Sequence, residues 1–320
     1  MRRPRPLPHH VAGRAFAVRD SAIARARLRR SDLAAPFAGV RVPIGTHAAL
    51  GPSDVGDDDN RWRRLRDIAV ARAIAFSTVL PDSAVYSHHT AAHVHELPLP
   101  RRLMNDLTVH VSVRTQAERR RRSGVAFHLV PPGRQRVHVV NGLPVTTAVD
   151  TWCALSAVLR VEELVVMGDA LVRRKRPLAT MDELEVAVRR HGGRHGAKAL
   201  RAALVLIRAR TDSPAETELR IAIHDAALPE PEVNVWVLDD RGRRIRLGDL
   251  VYRRERILVE YDGPHHFTDP AQQQKDIDAL DAAVAAGWRV IRATNVHRRQ
   301  RFVPIIRRLR DALRERRPPA

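Results

Sequence analysis

Between Ser213 and Arg314 the spacing of apolar residues switches from a helical period to alternation and back in one fixed order, which narrows the folds open to this chain. Ser213-Pro214-Ala215-Glu216 reads as a capping box with proline at the first helical position, so a helix starts there and runs to about Ala226, before Pro229. Glu232 to Leu238 alternates Val233, Val235 and Val237 with polar or aromatic residues, and strands follow at about Arg244 to Val251 and Arg256 to Asp262. Gln272 to Ala286 carries Ile277, Leu280 and Val284 as an inward helical stripe that stops at Gly287. Trp288 to Ala293 is a strand and Val303 to Arg314 a basic terminal helix. The order α-β-β-β-α-β-α implies an α/β domain: three meandering strands, a crossover strand, and helices on both sides of one mixed sheet.

This frame places acids where charge is costly. Glu260 follows Ile257-Leu258-Val259 in what should be a central buried strand, where a carboxylate needs a partner or a metal. Asp262 lies two residues on and so on the same face, Asp249 sits in or at the end of the preceding strand, and Glu216 is on the helix before it. Convergent carboxylates suit a hard divalent cation, Mg²⁺ or Mn²⁺, which takes oxygen ligands. Such an ion can activate water and stabilise charge on a phosphoryl group during phosphodiester hydrolysis. Ordinary readings stand beside this one: Glu216 as the acid of its capping box, Asp249 as a solvated strand-end residue.

Charge adds a second pointer. The chain of 320 residues has a net charge of +20, but only three of its 56 basic residues are lysine, so part of the total reflects a general bias towards arginine. Its distribution is more informative. Residues 1–211 carry +18, residues 212–288 carry −7 and residues 289–320 carry +9. Two basic regions flanking an acidic one fit backbone-binding surfaces around a carboxylate site, with DNA as the partner. The composition shift also divides the chain into residues 1–211 and 212–320.

Residues 1–211 read as a mainly α region with a few strands. Asp20 to Arg30 carries Ile23 and Leu28 amid Arg25, Arg27, Arg29 and Arg30, which fits a winged helix-turn-helix or any basic amphipathic helix. Helices are expected at Trp62 to Leu80 and Ser87 to Glu96, and strands at Asp106 to Val113 and Gly124 to Val130. His88, His89, His93 and His95 cluster on the second helix, His89 and His93 at the i,i+4 spacing of zinc ligands. With no cysteine and few acids nearby, packing and capping are the weightier reading of them. A single cysteine, Cys153, excludes an intrachain disulfide and any cysteine-based zinc finger, and suggests a reducing compartment. With neither a signal-peptide pattern nor a membrane-length apolar run, the expectation is a cytoplasmic, nucleoid-associated protein without a membrane partner.

Two family resemblances follow. Gly248-Asp249-Leu250-Val251-Tyr252, Ile257-Leu-Val-Glu-Tyr-Asp-Gly-Pro-His-His266, Asp276 and Gly287-Trp288-Arg289-Val290-Ile291-Arg292 resemble the very-short-patch-repair-like branch of the PD-(D/E)XK endonuclease superfamily, and within it a bacterial domain of unknown function. The resemblance implies Asp249 and Glu260 as metal ligands and Glu216 as an auxiliary acid. It also implies His266, with His265 as runner-up, for general acid/base work. Asp262 stands where the superfamily has lysine, so a cation is missing there, and Lys275 is a candidate to supply it. Tyr86-Ser87-His88-His89-Thr90-Ala91-Ala92, Leu97-Pro98-Leu99-Pro100 and Asn141-Gly-Leu-Pro-Val-Thr-Thr147 resemble AbiEi-type antitoxins and transcriptional regulators. That resemblance implies DNA contact by Arg25, Arg27, Arg29 and Arg30 and a toxin or neighbouring-operon protein as a further partner. The two functional expectations are a Mg²⁺-dependent DNA endonuclease and a non-enzymatic regulator that keeps a degenerate nuclease fold.

Overall fold

The computed structural model describes residues 5–56, 60–119, 121–263 and 270–316. It is a mixed α/β protein with three sheets. The chain divides into two compact units, residues 1–159 with 187–198, and residues 160–186 with 199–320, so Thr211 and Asp212 both fall inside the second. Among the described residues no helix is long and apolar enough to cross a membrane.

The first unit opens with β1 (Phe16–Ala17), α1 (Arg25–Leu28), β2 (Leu33–Ala34) and β3 (Val40–Pro43), and the three strands form a small sheet in the order β1-β3-β2. The helix expected over Asp20 to Arg30 is cut to the four residues of α1, so residues 5–45 hold no helix-turn-helix. Ala22, at φ +50°, breaks the helical path, and Leu28 turns into an apolar cluster with Val11 and Phe16. Next come α2 (Arg61–Ser77), β4 (Val85–Tyr86), α3 (His88–Val94), α4 (Arg101–Met104), β5 (Val109–Val113), β6 (Val125–Leu129), β7 (Val137–Val140), β8 (Leu143–Thr146) and α5 (Ala148–Leu155). The strands β4 to β8 make a five-stranded mixed sheet in the order β6-β5-β4-β8-β7. Among the described residues of 1–211 helices still hold most of the regular structure, but eight strands form two sheets where only a few strands were expected. The hairpin β7–β8 turns on Asn141-Gly142, both at positive φ, which is the commonest short-hairpin signal. Phe37 and Phe76 pack edge-on in the core between the two sheets and α2, where the buried Tyr86 hydroxyl donates to the Ala73 carbonyl at 2.6 Å.

After α6 (Val161–Leu171), α7 (Met181–His191) and α8 (Ala197–Leu206), the expected α-β-β-β-α-β-α order appears as α9 (Pro214–Asp225), β9 (Glu232–Leu238), β10 (Arg244–Tyr252), β11 (Ile257–Asp262), α10 (Pro270–Ala285), β12 (Arg289–Thr294), the short α11 (Asn295–Arg299) and α12 (Val303–Glu315). Ser213 caps α9 by accepting the Glu216 N–H at 3.2 Å. The sheet runs β12-β11-β10-β9, antiparallel except for the parallel pair β11/β12 that α10 connects. On one side Leu219 and Ile223 of α9 and Ile305, Ile306 and Leu309 of α12 pack on Ile257 and Val259. On the other, Leu280 and Ala283 of α10 pack on Leu258, whereas Ile277 and Val284, expected inward, are exposed.

Val233 packs on the α9/α12 side but Val235 and Val237 on the α10 side, so the β9/β10 pair changes face at Asn234, whose φ is +48°. Beyond the change, Gly248 faces α10 with no room for a methyl group: a Cβ there would press on Leu258 Cδ1 and lie 2.8 Å from Val251 Cγ2. Gly248→Ala is expected to destabilise the protein by about 1–3 kcal/mol through overpacking. Thermal melts check this; an unchanged midpoint would show that the strands spread freely.

Candidate functional site

Leu250 of β10 pairs with Val259 of β11, so Asp249 and Glu260 are the next residues out on facing central strands. Asp249 Oδ2 accepts the Tyr261 backbone N–H at 2.8 Å. Glu260 is only 5% exposed; its Oε2 accepts from Arg246 Nη2 at 2.7 Å, while its Oε1 is buried with no hydrogen-bond partner among the described residues. Glu216, also buried, uses Oε2 to accept the Asp212 N–H and the Asn234 side-chain amide, each at 3.0 Å. It therefore serves the start of its helix and at the same time adds negative charge beside the other two acids. Asp262 is half-buried and accepts from Arg292 Nε of the neighbouring strand at 2.6 Å.

The electrostatics follow from this packing. Burial, then the charge of Glu260 and Glu216, push the Asp249 carboxyl well above the ordinary carboxylate range. Burial also raises Glu260, to about 7, against the pull of Arg246. Acids held this way gain from any cation that enters. They do not form a ready-made three-ligand cage. Among the described residues, the sets of three or more side chains whose ligand atoms all lie within 4.8 Å of one another are His88, His110 and His128, and His89, Asp106 and His110.

Arg246 was missed by sequence reasoning: it falls inside the expected strand Arg244 to Val251, where one more arginine in an arginine-rich chain signals no buried partner. A register shift between Arg244 and Arg246, with the face change at Asn234, brings its guanidinium onto Glu260. Lys275, the expected source of a cation, is exposed on α10. His265 and His266 lie outside the described residues.

The proposed DNA-contact arginines separate. Arg25, Arg29 and Arg30 are exposed. Arg27 is tied to Asp32 by two bonds of 2.9 and 2.7 Å and also donates to the Arg5 carbonyl, so its charge is already spent within the fold. The structure thus brings Asp249, Glu260 and Glu216 together, gives Asp262 its own cation, and leaves three of the four arginines open to solvent.

No family model matches the chain, and no solved structure matches it. Over 131 residues it is 29% identical to two uncharacterised proteins of Mycobacterium tuberculosis, MT2308 of strain CDC 1551 / Oshkosh and Rv2248 of strain ATCC 25618 / H37Rv, an alignment that takes in 38% of this chain. The chain spans about half the length of these curated relatives, 48% of each, so the similarity is distant and partial.

Proposed function

We propose that the sheet carrying Asp249 and Glu260 is the catalytic part of a metal-dependent DNA endonuclease with a restriction-endonuclease-like core. The observation that carries this reading is the pair of carboxylates at facing positions of two central strands, with Glu260 Oε1 buried and without a hydrogen-bond partner among the described residues. A buried acid with an unsatisfied oxygen and a raised pKa fits a hard divalent cation. Asp249 and Glu260 would hold Mg²⁺ or Mn²⁺, and such an ion, when bound, supplies charge neutralisation and an acidified water. The Tyr261 amide orients Asp249, and Arg246 fixes one oxygen of Glu260. Arg246 also offers the phosphate the cation that is absent at position 262. Asp262 anchors Arg292, and Glu216 deepens the negative field. His266, outside the described residues, keeps the general acid/base role that the family resemblance implies.

The second reading, a non-enzymatic DNA-binding regulator with a toxin or operon partner, draws on the Arg246–Glu260 and Asp262–Arg292 ion pairs, which already neutralise two of the acids. One experiment separates the two. Purified full chain is incubated with supercoiled plasmid, with and without Mg²⁺ or Mn²⁺, beside Glu260→Ala. Metal-dependent nicking that vanishes in the variant is expected. Equal nicking in the variant, or DNA retardation in a gel without any nicking, overturns the enzyme in favour of the regulator.

A further inference from the structure

We propose that the first unit contains a binding site for a zinc-class divalent transition metal, built from His89 Nδ1, His110 Nε2 and Asp106 Oδ2. The three residues come from the start of α3, from β5, and from the segment just before β5. Asp106 Oδ2 lies 3.6 Å from His89 Nδ1 and 3.9 Å from His110 Nε2. Ligands of a tetrahedral zinc with bonds of about 2.0–2.1 Å stand roughly 3.3 Å apart, so the two distances from Asp106 are within about half an ångström of that spacing, and the two nitrogens lie within 4.8 Å of each other.

Both histidines are more than nine-tenths buried, and among the described residues the nitrogens that face Asp106 have no hydrogen-bond partner. Buried polar atoms of a native fold are normally satisfied, and a metal ion satisfies this pair at once. Burial lowers the pKa of both imidazoles, that of His110 to about 3, so each is the neutral ring that ligates. Asp106 opposes the lowering at His89, and Arg102 adds to it.

The surrounding bonds aim the ligands. Thr108 N–H donates to Asp106 Oδ1 at 3.0 Å, which leaves Oδ2 for the ion. His110 Nδ1 and His128 Nε2 are 2.9 Å apart, so a proton shared there leaves Nε2 of His110 free to ligate. The Asp106 side chain is 41% exposed, which gives the site a mouth and room for a water as fourth ligand. Two nitrogens and one oxygen select Zn²⁺, Co²⁺ or Ni²⁺ over Mg²⁺. The overlapping trio His88, His110 and His128 is a poorer site. The His88 and His128 rings stack with centroids 3.6 Å apart, so their in-plane lone pairs run side by side instead of converging.

The test uses full-length protein stripped by a chelator and titrated with Co²⁺ in excess Mg²⁺, which fills oxygen sites without competing for imidazole. The expected result is one equivalent of Co²⁺ with the intense visible absorption of a four-coordinate ion, displaced by Zn²⁺. Asp106→Asn, which keeps the bond from Thr108 and lies at the open mouth, should weaken binding at least about tenfold, as should His110→Gln. Circular dichroism confirms that each variant is folded. Wild-type protein that takes up no Co²⁺ or Zn²⁺ under these conditions, or a folded Asp106→Asn that binds as tightly as wild type, overturns the site.

Discussion

Arg220→Met is expected to lower the stability of the second unit by about 3–5 kcal/mol, because it strands a buried carboxylate. Asp169 of α6 is completely buried and Arg220 of α9 is 3% exposed; the guanidinium donates to Asp169 Oδ2 at 2.8 Å. Thr217 donates to the same oxygen at 2.9 Å and the Arg208 N–H to the other at 2.8 Å. Even with Arg220 in place, burial keeps the Asp169 pKa raised. Without it the charge would have, among the described residues, two neutral donors, and the native state must protonate the acid or carry its desolvation cost. Two consequences distinguish this account from simple loss of packing. Arg220→Met should recover stability as pH falls, since protonation then removes the stranded charge. The double variant Arg220→Met/Asp169→Asn should be more stable than the two single losses added together. Urea denaturation of the four proteins measures both; additive losses and a pH-independent Arg220→Met would sink the argument.

The stretch from Ser213 to Glu315 was largely legible in the sequence because its signals are local. A capping box, alternating valines and a terminal glycine each specify one element within a few residues, and they fix the order of helices and strands. The buried acid was legible for the same reason: three apolar residues before Glu260 mark a central strand, and the strand is central. What was not legible depends on contacts between distant segments. Arg246 reaches Glu260 only because the strand pair changes face at Asn234, and no periodicity announces a single residue at positive φ. His89 meets His110, and His128 meets His88 and His110, through the docking of α3 on a sheet whose strands β5 and β6 run parallel, so the histidine group spans forty positions of sequence. Read along one helix, those histidines lacked a partner acid; Asp106 arrives from the segment just before β5. The helix-turn-helix failed for the opposite reason, since a run of arginines keeps a helical appearance without the apolar face that would hold a helix in place.

Glu260 gives the site a pH signature that the proposed Mg²⁺ should erase. Its folded pKa, about 7, lies above the ordinary 4.5, so between those values the native state keeps a proton that the unfolded chain has released. Stability from this group is therefore full below pH 4.5 and falls as pH rises towards 7, by up to about 3 kcal/mol at about 1.4 kcal/mol per unit. Asp249, raised in the same direction by burial and by Glu260, steepens the fall. Glu260→Gln should flatten the profile and so gain stability relative to wild type at neutral pH. Mg²⁺ competes with the proton for the same oxygens, so the rise in melting temperature that it produces should grow with pH and disappear in Asp249→Asn. Cleavage should follow the same residues. If the bound ion supplies about 4 kcal/mol of transition-state stabilisation, Asp249→Asn and Glu260→Gln each lose roughly a thousandfold in rate. A Glu260→Gln variant that gains stability at neutral pH yet still cuts would place the metal elsewhere. A wild type whose melting temperature ignores both pH and Mg²⁺ between about pH 5 and about pH 8 would remove the carboxylate pair as a cation site altogether.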